Sequence, residues 1–276
     1  MRFRGPETGL LDESLNAAGR GSGPDPLDRR APVWGVLLVA FVLLGWGEIR
    51  ATDPYTSPAF VVGYFWTELQ VSALLLVATA LFWPRQRLGL SAPRPAPLRY
   101  LAPLALLVAA AVAVRIWVAT QIPVDAAPDA ATSWKLLRTT LVVGLNEEWL
   151  FRGLALAAFC RWWGWRRGWL AALLAFACVH LLNLIGGVPP IGAVFQFVNT
   201  FLMGSVFLLV AVNTRSLLLP MLGHAVYDWS VVDTVRYVAA GAPNTASLTL
   251  SVFALLLGLF SLWTLWRTPA LAPYTD

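Results

Sequence analysis

Apolar residues gather into eight continuous runs, at about 32–49, 60–83, 100–121, 137–159, 168–186, 193–212, 216–233 and 246–266. Each approaches or exceeds the roughly 20 residues with which a helix crosses a bilayer. None alternates with period two over ~10-residue segments, which excludes a membrane β-barrel. Polar positions fall between the runs. A Pro- and Arg-rich stretch, Ser91-Ala92-Pro93-Arg94-Pro95-Ala96-Pro97, precedes the third. An acidic link from Gln121 to Ser133 carries Asp125 and Asp129, and a tight Gly186-Gly187-Val188-Pro189-Pro190 turn separates the fifth run from the sixth. The pattern predicts an all-α, polytopic helical membrane protein with about eight transmembrane helices. No internal repeat is visible, which argues against an inverted-repeat transporter.

Composition sharpens this picture. Hydrophobic residues make up 58% of the 276 and charged residues 13%, against about 25% charged in soluble proteins. A net charge of +5 would suit a nucleic-acid partner, but the arginines sit in short links, so membrane topology accounts for them and no nucleic acid is expected. With the N-terminus in the cytoplasm, the inside segments hold Arg29, Arg30, Arg85, Arg87, Arg94, Arg99, Arg161, Arg166, Arg167, Arg215 and Arg267. The outside segments hold Arg50, Lys135, Arg138 and Arg236. That asymmetry obeys the positive-inside rule. It predicts a multi-pass protein of the inner (cytoplasmic) cell membrane with both termini cytoplasmic.

Residues 1–30, rich in Gly, Pro, Arg and Asp, predict a disordered cytoplasmic tail. The first apolar run begins only after Arg29-Arg30, so it reads as an anchor rather than a signal peptide. Cys160 and Cys178 read as small buried hydrophobes without metal-type spacing. Trp162, Trp163, Trp165 and Trp169, beside arginines, read as an interfacial belt.

The candidate chemistry lies inside the apolar runs. Asn146-Glu147-Glu148-Trp149-Leu150-Phe151-Arg152-Gly153 places three ionisable groups in the fourth span. Each costs about 2.5–3.5 kcal/mol near a bilayer centre on insertion scales, which asks for a functional reason. Successive helical residues are about 100° apart, so Glu147 and Glu148 point differently, whereas Arg152 shares a face with Glu148. Glu148 is therefore expected to pair with Arg152, leaving Glu147 to act as a general base in a cavity.

The chain's two histidines, His180 and His224, also lie inside spans. Phe176 and Asn183 share a face with His180. Asp228 shares one with His224, and Pro220 is expected to kink the helix before it. Gln196 and Asn199 read as hydrogen-bonding glue between helices, and Gly204 as a close-packing position. If these residues converge, two chemistries stay open. In one, Glu147 and His180 activate a water while His224 and Asp228 stabilise the oxyanion. In the other, Glu147, His180 and His224 bind zinc, which activates the water.

Glu147-Glu148-x-x-x-Arg152, Phe176-x-x-x-His180 and His224-x-x-x-Asp228, in this order on successive hydrophobic segments, resemble the CPBP family. That family comprises type II CAAX prenyl endopeptidases and bacteriocin-processing or self-immunity proteins. Ser216-Leu217-Leu218-Leu219-Pro220 resembles its stretch leading into the second histidine. The resemblance covers about 134–230 and implies an eight-helix membrane protease with an interior polar cavity open toward the cytoplasm or the bilayer. By it, Glu147 matches the catalytic glutamate, Glu148 its neighbour, Arg152 the motif arginine and His180 the water-holding histidine. His224 and Asp228 match the last motif, where the family accepts Asn or Asp.

The expected organisation is a tail (1–30), N-terminal transmembrane helices (31–133), a CPBP-like catalytic core (134–232), and a last transmembrane helix with a C-terminal tail (233–276). The function implied is an intramembrane endopeptidase. It would hydrolyse a peptide bond near a membrane-embedded or lipid-anchored segment through a Glu/His-activated water, without a covalent intermediate. No cofactor is required on that reading, and zinc is the alternative. The partners are a peptide or membrane-protein substrate and the lipid bilayer. The alternative from another class is a non-catalytic CPBP-like scaffold regulating a partner membrane protein. Retention of every costly ionisable position argues against it.

Overall fold

The structure is a computed structural model that describes residues 26–51, 53, 57–83 and 88–268. Every regular element among them is helical. In chain order these are α1 (Arg30–Arg50), α2 (Pro58–Phe82), α3 (Leu98–Thr120), α4 (Ala130–Glu147), α5 (Leu156–Trp163), α6 (Trp165–Val179), α7 (Pro190–Thr214), α8 (Leu218–Ala239) and α9 (Thr245–Arg267). A π-helical turn, Glu148–Ala155, joins α4 to α5 without a break, and a 3₁₀ turn, His180–Leu184, extends α6. The described chain thus forms eight continuous helical segments.

Six of them are long and apolar enough to cross a membrane: Arg30–Arg50, Pro58–Phe82, Leu98–Thr120, Trp165–Leu184, Pro190–Thr214 and Leu248–Arg267. The other two, α4 through α5 and α8, carry the charged residues of the candidate site, which lowers their hydropathy. Eight spans are therefore an expectation of which six meet the criterion.

Local chemistry sets the helix ends. Ser57 caps α2 by accepting the Phe60 N–H at 3.1 Å, with Pro58 just inside, where its missing N–H costs nothing. Asp129 caps α4 by accepting the Thr132 N–H at 2.7 Å. That bond holds its exposed carboxyl below the usual carboxylate range. Pro220 falls in the first turn of α8, where proline is tolerated, so the expected kink is replaced by a helix start.

The disordered-tail expectation for residues 1–25 lies outside the described residues, as do Arg85 and Arg87. Residues Pro26–Asp28 form a 3₁₀ turn docked on α5. Trp162 Nε1 donates to the Leu27 carbonyl at 2.9 Å, and Arg161 pairs with Asp28 at 2.6 Å. Trp169 is buried against Trp266 rather than in an interfacial belt. Cys160 is buried, but Cys178 is exposed on the outward face of α6.

The bundle is apolar outside, and its mostly apolar interior encloses a cluster of polar groups. Leu38, Trp66, Leu81, Leu106, Leu222 and Leu248 are among its exposed large hydrophobics. Glu48, Glu68, Asn146, Glu148, Arg152, His224 and Asp233 are buried beside cores such as Leu104, Leu107, Val206 and Phe207. An apolar outer face with ionisable groups turned inward is what a hydrocarbon solvent selects. α4 packs on both α2 and α8, α8 also on α3, and α7 on α6 and α9.

A second polar knot ties α3, α4 and α8 together. Asp233, with no exposed surface, accepts from Arg115 Nε at 2.9 Å, Ser133 Oγ at 3.0 Å and Arg236 Nη1 at 2.8 Å. Arg236 also reaches Asp129 at 2.9 Å. Arg236, expected in an outside link, lies in the last turn of α8 instead.

Candidate active site

The site is built where α4 runs into the π-helical turn. At this point α4 and α8 come into close approach. A Cβ on Gly144 would stand 2.7 Å from the Met221 carbonyl, so a residue without one is needed for the crossing. One turn further along each helix, Glu147 and Glu148 meet His224.

Glu148 is completely buried and doubly engaged. Its Oε1 accepts from Arg152 Nη1 at 3.0 Å and faces His224 Nδ1 at 2.9 Å. Arg152 is equally enclosed. Its Nη2 donates to the Gly204 carbonyl at 3.3 Å, and its guanidinium lies 3.8 Å over the Phe176 ring. A Cβ on Gly204 would come within 2.8 Å of Arg152 Nη2, so the close packing expected at Gly204 is packing against this arginine. The expected Glu148–Arg152 pair is present. The Glu148–His224 contact adds a link between segments far apart in sequence.

Glu147, pointing away from that pair, keeps partial exposure in the cavity. Its Oε2 has no hydrogen-bond partner among the described residues, and the nearest cationic atom is His224 Nε2 at 3.5 Å. Asp228 Oδ2 lies 3.3 Å from the same Nε2. His224 is thus held from behind by Glu148 and presents Nε2 between Glu147 and Asp228. Phe207 stacks on its ring at 4.6 Å and 17°.

His180 opens the 3₁₀ turn. Its Nδ1 lies 2.9 Å from the Phe176 carbonyl. A carbonyl only accepts, so Nδ1 carries the hydrogen and Nε2 is left as an acceptor. The 3₁₀ geometry, three residues per turn, eclipses His180 with Asn183, and both line the same cavity.

That cavity has a volume of about 310 Å³. Glu147, His180 and Asp228 line it, with Phe176, Asn183 and Met203. Gln196 and Asn199 also line it, rather than acting only as glue. Two carboxyls absent from the sequence-based site contribute as well, Glu48 of α1 and Glu68 of α2. Glu68 Oε2 accepts from Asn146 Nδ2 at 2.8 Å, and Asn146 Oδ1 accepts from Ser72 Oγ at 2.8 Å. The one signal that could have found them is that both are lone acids near or within apolar runs.

The zinc alternative fares differently. Among the described residues no three His, Cys, Asp or Glu side chains are disposed to hold a metal ion. The donor set Glu147, His180 and His224 therefore does not assemble as a ligand cage, and a metalloprotease-like description gains no support.

Residues 129–230 match the family model described as type II CAAX prenyl endopeptidase Rce1-like. No curated protein and no solved structure matches the chain. The matched region holds Glu147, Glu148, Arg152, His180, His224 and Asp228, but neither Glu48 nor Glu68. It supports membership of the CPBP family, a family of membrane proteases, and with the apolar helices it supports a multi-pass membrane protein.

Proposed function

We propose that this CPBP-type chain is an intramembrane endopeptidase hydrolysing a peptide bond near a membrane-embedded or lipid-anchored segment. The observation that carries this reading is the division between two adjacent glutamates. Glu148, completely buried, is held through Oε1 by Arg152 and His224, whereas Glu147 lines the cavity with no hydrogen bond on its Oε2.

In the mechanism, a water sits between the Glu147 carboxylate and His180 Nε2, both acceptors. Glu147 removes one proton as the water oxygen attacks the peptide carbon. The carbonyl electrons move onto oxygen, and His224 Nε2–H donates to that oxyanion. Glu148, accepting from Nδ1–H, fixes the ring and stabilises its protonated form. Asp228 keeps Nε2 in place. Collapse of the tetrahedral intermediate breaks the C–N bond, and the proton held by Glu147 passes to the leaving amine. Arg152 acts through Glu148 as a positioning residue.

Residues 134–232 supply this chemistry, and the helices of 31–133 complete the cavity wall. The arginine distribution favours cytoplasmic termini in a cytoplasmic membrane. The cavity extends from mid-bundle toward Ser57, Asn183 and Val235, the end away from the arginine-rich links. On this reading the peptide approaches from the extracytoplasmic half of the bilayer.

The test is cleavage of a mixed peptide library by the detergent-purified full chain, with products read by mass spectrometry. Wild type is expected to yield defined products that Glu147→Gln does not. Equal cleavage by both proteins removes Glu147 as the base.

A further inference from the structure

The cavity's charge is one-sided. Glu48, Glu68, Glu147 and Asp228 line it, no lysine or arginine does, and His180 is its one basic lining group. Three of these acids have assigned work: Glu147 and Asp228 in the reaction, and Glu68 in its bond with Asn146. Glu48 has none. It is 5% exposed, lines the cavity, and makes no hydrogen bond or ion pair among the described residues, with Oε2 wholly enclosed. A buried carboxyl without a partner is costly. It persists where something that visits the site provides the partner. Nothing in the proposed hydrolysis uses it, and it lies outside the family-matched region.

The geometry points to Glu48 as a specificity subsite for a basic side chain, lysine or arginine, of the peptide being cleaved. This inference rests on the proteolytic reading above. An arginine guanidinium or lysine ammonium would give Glu48 the charge-assisted hydrogen bonds it lacks, within a field deepened by Glu68. The helix positions set the register. Glu48 stands two residues before the end of α1, and Glu68 ten residues into α2, beside the reacting groups. Gly47 packs against Tyr64 and Thr67 of α2, so at about 1.5 Å of rise per residue Glu48 stands roughly 5 Å above Glu68. An extended peptide covers roughly that distance in one to two residues. The basic residue is therefore expected one to two positions from the scissile bond.

Two arms test this on the full chain. In the first, a randomised peptide library is cleaved by wild type, Glu48→Gln, Glu48→Asp and Glu48→Lys, and the sites are read by mass spectrometry. Lysine and arginine should be enriched on the order of tenfold at one position one to two residues from the cut. The enrichment should persist in Glu48→Asp, vanish in Glu48→Gln and give way to acidic residues in Glu48→Lys. Unchanged enrichment in Glu48→Gln overturns the subsite. In the second arm, two fluorescent decapeptides of alternating Ala and Leu, one with a central arginine and one with neutral citrulline, are titrated onto wild type and Glu48→Gln. About tenfold tighter binding of the arginine peptide, lost in Glu48→Gln, supports the subsite even if no peptide is cut, in which case the proteolytic reading alone fails. Equal binding of both peptides to wild type overturns the subsite while leaving cleavage to be judged separately. Melting curves of each variant confirm folding.

Discussion

Replacing Glu148 with alanine removes the one acceptor that holds both Arg152 and His224. Arg152, 1% exposed, would lose its 3.0 Å carboxylate partner while staying enclosed by Phe176, Phe207 and the Gly204 carbonyl. Breaking a buried pair from one side costs about 3–5 kcal/mol. At about 2–4 °C per kcal/mol for a chain of this size class, melting should fall by roughly 10 °C. Glu147→Gln, one residue away, should behave oppositely. Its Oε2 makes no hydrogen bond, so stability should stay within about 0.5 kcal/mol of wild type, while cleavage should fall by about 10²-fold or more. A third variant closes the reasoning. Glu148→Gln with Arg152→Met keeps an acceptor for His224 Nδ1 and removes the buried cation, so most of the stability should return. The assay is thermal unfolding of detergent-purified protein by tryptophan fluorescence, with monodispersity checked by gel filtration. A Glu148→Ala variant within about 1 kcal/mol of wild type would refute the account, as would a Glu147→Gln variant equally destabilised.

Other consequences are equally accessible. Gly204→Leu should drive a side chain into Arg152 and lower thermal stability, whereas Gly192→Ala should not. Asp233→Ala should take the carboxylate from Arg115, while Arg236 keeps Asp129, and lower the melting temperature, with cleavage per folded molecule retained. His180→Ala should leave the melting temperature nearly unchanged and reduce turnover by about 10²–10⁴-fold. A chelator at millimolar concentration should leave cleavage intact, and loss restored by zinc would overturn the glutamate-and-histidine mechanism. Single cysteines at Ser57 and Arg166 should label with an impermeant maleimide from outside and inside the cell, respectively; the reverse result would invert the proposed topology.

What the sequence disclosed and what it hid divide along one physical line. Contacts between residues three or four apart were legible, because helical periodicity alone brings them together. Glu148 with Arg152 and His224 with Asp228 are both found, at 3.0 and 3.3 Å. Contacts between segments were not. The Glu148–His224 bond depends on α4 and α8 crossing closely at Gly144, which no local pattern announces. Glu48 and Glu68 were missed because a lone acid in or beside an apolar run carries no spacing to read. The π-helical turn from Glu148 to Ala155 was invisible too. Its residues show ordinary helical propensity, so no local pattern marks it. Asp233 looked like the end of a span until Arg115 and Ser133, over a hundred and a hundred residues away, were seen to meet it.

The Asp233 knot bears on how the protein is made. α8 carries Asp228, Asp233, Arg236 and His224, and it is not among the helices apolar enough to cross a bilayer by themselves. A segment so charged partitions poorly from the insertion machinery into lipid. Its partners are synthesised first: Arg115 on α3, which supplies the counter-charge, and Ser133 on α4, which donates a hydrogen bond, precede it in the chain. They are already resident when α8 emerges from the ribosome, so Asp233 is neutralised as it arrives. Biogenesis therefore has a required order, in which the early helices act as a template for the late one. A circular permutant opening the chain between α7 and α8, so that α8 emerges before α3 and α4, should fail to integrate that helix even though every native contact remains available to it.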